Sequence, residues 1–324
     1  MKQFGIALLN YHEALKTFPT GAVNDPRDEA YFYSSPHAML LPFFEEEGLQ
    51  SIYNKNRAWF LQLPSVPSTI VPVFVCPSAA SDPKIVNTKF NKALKLLVPE
   101  TQYPDTQEFA VTHYIFCKGS TDAWCRAPIP KKAADPPFPS ERGMFDIRMQ
   151  TPMRKITDGT SNTIAMGEGA SGPKWPLGSR NAPIPPVDEL GFQRLAYHIW
   201  ISAEPGWYEL SAVGGLYFAG NLGCTLEPIN KSPVTHAWAQ TNSSGLDNCR
   251  KGIIGAPGTK TPTSCTAPSN CGPHETPGFR SDHSGGCNFL FADGSVHYLN
   301  EDINMLTYQQ LSTMAGGDIV EIPE

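Results

Sequence analysis

The chain has little charge. Asp, Glu, Lys and Arg make up 17 % of its 324 residues, and the net charge is −6 at pH 7. No basic run is present to follow a phosphate backbone, which argues against a nucleic-acid partner. No apolar run approaches the roughly 20 residues that a membrane-spanning helix needs. No secretory signal opens the sequence, because Met1 leads directly into a helical pattern. Catalytic signatures are missing as well: there is no Gly-x-Ser-x-Gly elbow, no His-Glu-x-x-His pair and no phosphate-cradling glycine loop. There is no paired Cys-x2-Cys arrangement of the kind that holds structural zinc, and no internal repeat.

Turn formers and cysteines are plentiful. With 31 Pro, 27 Gly and an apolar content of 40 %, the chain reads as loops and turns around a modest core. Its eight cysteines are Cys76, Cys117, Cys125, Cys224, Cys249, Cys265, Cys271 and Cys287. An even number in Gly/Pro/Ser/Thr-rich segments suits structural disulfides in an oxidising compartment. The local loops Cys117–Cys125 and Cys265–Cys271 are the cheapest pairings, and the connectivity is left open.

Periodicity supplies the elements. Phe4, Leu8, Tyr11 and Leu15 recur at helical spacing over residues 2–16, and Thr17-Phe-Pro-Thr-Gly21 stops that helix. The chain thus starts inside an amphipathic helix, which implies a missing upstream half. Residues 36–54 read as two short helices broken at Pro42 and Gly48. Val71–Val75 and Thr112–Cys117 read as strands, and residues 78–110 read as irregular with one helical turn near 89–97. Asp158-Gly159 reads as a turn feeding a strand that ends at Glu168. Residues 170–277 form a Pro/Gly-punctuated region with four tryptophans. Near the C-terminus, Asn288-Phe-Leu-Phe-Ala and Ser295-Val-His-Tyr-Leu flank Asp293-Gly294, the pattern of a β-hairpin with a two-residue type I′ turn. Thr307-Tyr-Gln-Gln310 offers a capping box for a short helix, and Gly316-Gly317 would end it.

These segments, in this order, resemble the bacterial prepilin-type H-X9-DG (DUF1559-type) family. The resemblance rests on Met1 to His12 with Phe18-Pro19, on Leu41-Pro-Phe-Phe-Glu45, on Phe74-Val-Cys76-Pro-Ser78 and on Thr112-His-Tyr114. It rests further on Ile156-Thr-Asp-Gly-Thr-Ser-Asn-Thr163 with Gly167-Glu168, on Phe279 to His283 and on Asp293-Gly294 onward, then on Thr307-Tyr-Gln and Ala315-Gly-Gly317. Together these blocks cover about one-fifth of the chain. The family is similar to type IV pilins and type II secretion pseudopilins, whose leader and apolar half-helix this sequence lacks. Membrane contact would therefore come only through a missing upstream helix. The resemblance implies a cell-surface or cell-envelope location and self-association, or association with related subunits, through the first helix.

The chemistry-bearing residues are weighed against plain architecture. His283 lies ten residues before Asp293. A strand rising about 3.3 Å per residue between them holds the pair well beyond the ~3 Å that proton transfer needs. Asp293-Gly294 is then a turn, and His283 holds a loop to the sheet through a ring N–H. Cys265, Cys271, His274, His283 and Cys287 could supply zinc ligands, but disulfides are favoured over that reading. Asn300, Glu301, Asp302 and Asn304, or Asp158 with Thr160 and Asn162, offer oxygens to calcium, without the full EF-hand pattern. Trp200, Trp207 and Trp238 could stack on a glycan, although core and loop-anchoring roles are the more common ones for such residues.

The expectation is an α+β, pilin-like fold in which an amphipathic N-terminal helix packs on an antiparallel sheet, with a loop-rich, disulfide-containing insertion. Residues 1–169 carry the helix and the first part of the sheet, 170–277 the variable Trp/Cys-rich insertion, and 278–324 the hairpin and short helix that complete the same domain. Phe4, Leu8, Tyr11 and Leu15 form the assembly helix; His283, Asp293, Gly294, Asp158 and Gly159 are structural. No catalytic residue and no cofactor is assigned; calcium is left open as a cofactor, and the metal site is left unassigned. The leading function is a structural subunit of a filament or secretion-like apparatus. The rivals are an extracellular glycan- or ligand-binding module and a metal-dependent hydrolase.

Overall fold

The computed structural model describes residues 1–24, 32–44, 47–120, 142–146, 149–178, 195–202, 221–235, 278–317 and 320–322. Its helices are α1 (Lys2–Leu15), α2 (Pro36–Leu40), α3 (Glu47–Ile52), α4 (Thr88–Leu97) and α5 (Met305–Ser312). Its strands are β1 (Val23–Asn24), β2 (Phe32–Ser34), β3 (Lys84–Val86), β4 (Glu108–Ala110), β5 (Tyr114–Cys117) and β6 (Ile164–Glu168). They continue as β7 (Leu177–Gly178), β8 (Leu222–Gly223), β9 (Val234–Thr235), β10 (Gly286–Phe291) and β11 (Val296–Asn300). The chain is therefore α+β, with a five-stranded sheet in the order β11-β10-β6-β5-β8 and three two-stranded ribbons.

α1 forms where the apolar stripe runs, and it stops where Lys16 adopts the left-handed conformation (φ 60°) and its N–H returns to the His12 carbonyl. Phe4, Ala7, Leu8 and Tyr11 are buried. The Phe4 ring meets Tyr114 and Phe116 of β5 with centroids 5.6 and 6.4 Å apart. It also meets Phe74 and His37, at 5.3 and 5.7 Å. A Cβ on Gly5 would lie 3.1 Å from Leu290 of β10 and 3.2 Å from Gly294, so the hairpin tip sits directly against the helix backbone. A side chain at either glycine would push helix and tip apart.

The sheet is mixed, where an antiparallel one was expected. β10 pairs antiparallel with both β11 and β6, and β6 pairs antiparallel with β5. β8, however, lies parallel to β5, matching Phe116 with Leu222 and Cys117 with Gly223. A parallel neighbour needs a long crossover connection, and the stretch between β5 and β8 supplies one. The region expected to be a decoration thus contributes an edge strand, and Ile199, Trp200 and Ile201 from it are buried in the main core. The 278–324 hairpin completes the same sheet through β10 and β6.

Four local expectations are corrected. Pro72–Phe74 is a 3-10 turn rather than a strand, since proline at its first position fixes φ and removes a ladder donor. Residues 84–86 and 108–110 form a strand pair around α4. The hairpin turn spans three residues: the Gly294 N–H donates to the Phe291 carbonyl and that of Phe291 to the Ser295 carbonyl, both at 2.9 Å. Only Gly294 of the Asp-Gly pair has positive φ (+86°), which is the pattern of a type I turn closed by a glycine bulge. α5 is capped not by Thr307 but by Asn304, whose side chain accepts from the Leu306 and Thr307 N–H groups, and α5 ends at Ser312, ahead of the two glycines.

Candidate functional site

Three side chains from distant parts of the sequence meet at one end of β6. Cys76 follows the 72–74 turn, Glu168 is the last residue of β6, and His283 lies in the loop before β10. Their Sγ, Oε1 and Nε2 atoms lie within 4.8 Å of one another. Cys76 Sγ is 3.5 Å from Glu168 Oε1 and 3.8 Å from His283 Nε2, and His283 Nε2 is 3.2 Å from Glu168 Oε1. The Ser78 hydroxyl closes the group, 3.0 Å from Cys76 Sγ and 3.1 Å from His283 Nε2. Glu168 is buried, Cys76 is half-buried, and the His283 side chain retains 36 % exposure, so the group faces solvent on one side.

Neighbouring residues fix each member. Asn288 donates its backbone N–H (2.7 Å) and its side-chain amide (3.1 Å) to Glu168 Oε2, which leaves Oε1 to face the site. The Cys76 N–H donates to His113 Nδ1 at 3.1 Å, so the ring carries its proton on Nε2 and donates to Ser81 Oγ at 2.9 Å. Burial holds the His113 imidazole down at about 4, so it stays neutral in this role. Asp282 ties the same loop from the other side, accepting from the Ala80 N–H at 2.8 Å and from Trp175 Nε1 at 3.2 Å. Burial, with Cys76 and Glu168 nearby, pushes the ionisation of the Tyr114 phenol up. A thiol, a carboxylate and an imidazole held this way can ligate a metal or pass a proton.

The residues expected from the sequence fall elsewhere, or into other roles. His283 and Asp293 do not meet. Asp293 accepts from the Ser295 N–H at 2.8 Å and donates its own N–H to the Thr160 carbonyl, at the far end of β10. His283, in the loop before β10, has Nε2 3.2 Å from Glu168 Oε1 at the end of β6. Asp158 accepts from the Gly316 N–H (2.7 Å) and the Gly317 N–H (2.9 Å), so it clamps the C-terminal loop. Gly159 has positive φ (+100°), as its turn requires. Asn300 and Asn304 accept from nearby backbone N–H groups, and Glu301 from the Asn230 side chain, so these oxygens already serve turns, a cap and a loop.

Phe4, Leu8 and Tyr11 of the expected assembly stripe are buried in the chain's own core, while Leu15 is 54 % exposed. Trp200 has no exposed face to stack on a sugar: it is wholly buried, and its Nε1 donates to the Thr69 carbonyl at 3.1 Å. Trp207 and Trp238 lie outside the described residues. So do Cys125, Cys249, Cys265, Cys271 and His274.

The described cysteines, Cys76, Cys117, Cys224 and Cys287, are free thiols. The Cys117–Cys125 loop pairing is therefore corrected. β5 turns Cys117 into the core, 3.8 Å from the Ser312 carbonyl, and burial pushes its thiol up to about 12. Cys224 is likewise raised to about 12, and Cys287 is raised, by burial. All three behave as small buried hydrophobes. Of the sequence's two zinc candidates among the described residues, His283 enters the cluster and Cys287 points to Asn230 instead. Cys76 and Glu168 were not grouped with His283 because 92 and 115 positions of sequence separate the three. The available signal was that each reactive side chain sits inside a block carrying the family resemblance.

The fold and site define an α+β protein with a thiol–carboxylate–imidazole cluster beside a mixed sheet. The family described as protein of unknown function (DUF1559) matches residues 1–306, and the chain belongs to it. No curated protein and no solved structure matches the chain.

Proposed function

We propose that the chain is a pilin-like structural subunit of a bacterial cell-surface or cell-envelope assembly, and that it associates with copies of itself or with related subunits through α1. The observation that supports this reading is the seat of α1. Phe4 of its apolar stripe meets Tyr114 and Phe116 of β5 and Gly5 sits against Leu290 of β10, which is consistent with the pilin arrangement of a helix laid on a sheet. Ile6, on the opposite side, stands 53 % exposed. No helix among the described residues is long and apolar enough to cross a membrane.

The test is photo-crosslinking on cells. The full gene product is made in its native host with a benzophenone amino acid in place of Ile6. Irradiation should give a ladder at multiples of the subunit mass, whereas the same probe at Leu96, 75 % exposed on α4, should give none. A single monomeric band from both positions, with the protein recovered free in the medium, would overturn the reading.

A further inference from the structure

We propose that Cys76, Glu168 and His283 form a binding site for one divalent ion of the zinc class, using Sγ, Oε1 and Nε2 as ligands. The separations fit. Four-coordinate zinc holds sulfur at about 2.3 Å and nitrogen or oxygen at about 2.0–2.1 Å, which places sulfur ~3.5 Å from the other donors and those ~3.3 Å from each other. The site shows 3.5 and 3.8 Å from sulfur to oxygen and nitrogen, and 3.2 Å between the last two.

Proton count favours an ion over a purely hydrogen-bonded cluster. Cys76, Ser78, Glu168 and His283 make five close polar contacts among themselves. Their thiol, hydroxyl and ring N–H carry at most one hydrogen each. A cation at the centre draws the same atoms together without those hydrogens. Donor chemistry selects the ion. Calcium and magnesium require shells of oxygen, whereas a thiolate, an imidazole and one carboxylate suit zinc. Three protein ligands leave a fourth position open beside the exposed Ser78. The bonds from Asn288 to Glu168 and from the Cys76 N–H to His113 Nδ1 are the supporting contacts that a metal site needs. The ion would staple the loop after the 72–74 turn, the end of β6 and the loop before β10, and it requires no assembly of the chain.

Cobalt titration tests this. The purified chain is reduced, stripped with EDTA and titrated with Co²⁺. One equivalent should bind and give a thiolate-to-cobalt band in the near ultraviolet, which one equivalent of Zn²⁺ should bleach. Cys76→Ser should abolish the band with an unchanged far-ultraviolet circular dichroism spectrum. Asn288→Ala should weaken binding about 10- to 100-fold. Should Cys76→Ser fail to fold, His283→Ala, at a half-exposed ring, carries the test. Absence of saturable cobalt binding, a band that persists in Cys76→Ser, or unchanged affinity in His283→Ala would overturn the proposal.

Discussion

His37 makes the stability of this fold depend on acidity, in a window the structure sets. It is wholly buried, against Phe4, Phe74 and Phe116. Nε2 donates to the Tyr114 carbonyl at 3.0 Å, and the buried Nδ1 has no hydrogen-bond partner. Burial pushes the imidazole down to about 3, against partial opposition from the Tyr114 bond. The ring thus stays neutral in the folded chain while the unfolded chain takes up a proton below about pH 6.5. Stability is therefore full above that pH and falls as pH drops toward 3. Each pH step costs about 1.4 kcal/mol, so about 3 kcal/mol is lost by pH ~4.5, a large share of an ordinary domain's stability. His37→Gln keeps a donor for the Tyr114 carbonyl and removes the titration. Urea unfolding of both proteins at pH ~7 and ~4.5 isolates this residue, because His113 contributes equally to each. The wild type should lose about 3 kcal/mol more than the variant over that interval. Equal losses would refute the reasoning.

Two further substitutions probe the frame around the site. Gly167→Ala in β6 would bring a Cβ within 2.3 Å of the Phe279 ring and 2.7 Å of the Phe289 ring. It should cost about 1–3 kcal/mol by chemical denaturation, the range for overpacking; a stability equal to wild type would show that the two rings give way freely. Asp158→Ala strips the Gly316 and Gly317 N–H groups of their acceptor. It should cost about 1–3 kcal/mol and speed hydrogen exchange at those two amides, while unchanged exchange would show that other groups hold the loop.

Where a single side-chain period decides an element, the sequence was readable. Phe4, Leu8 and Tyr11 mark α1, and the apolar runs on either side of Asp293-Gly294 mark β10 and β11, because burial of one face is enough to specify each. The errors came where tertiary partners decide. Val71-Pro-Val-Phe-Val75 is apolar enough for a strand, yet Pro72 fixes φ, removes a ladder donor and leaves it a turn. Gly316 and Gly317 look like a helix stop, but their N–H groups are spent on Asp158, far away in sequence. β8 is only two residues long and owes its place to the register with Phe116 and Cys117, which no local pattern encodes. Trp200 lies between Ile199 and Ile201, and the fold gives it the core role, the commoner one for such a residue, rather than a glycan platform.

The spacing of His283 and Asp293 now has a mechanical meaning. The residues between them are the short 284–285 connection and the length of β10, so the ten-residue interval is a strand with one function at each end. At one end, His283 reaches Glu168 and Cys76. At the other, the Asp293-Gly294 turn lies under α1, where a Cβ on Gly5 would come within 3.2 Å of Gly294 and Lys2 Nζ donates to its carbonyl. Inserting or deleting one residue in β10 would flip its alternation relative to β6 and β11, and would displace either the histidine from the cluster or the turn from the helix. The interval is therefore fixed by the need to satisfy both ends of one strand at once, and a catalytic pair is not required to explain it.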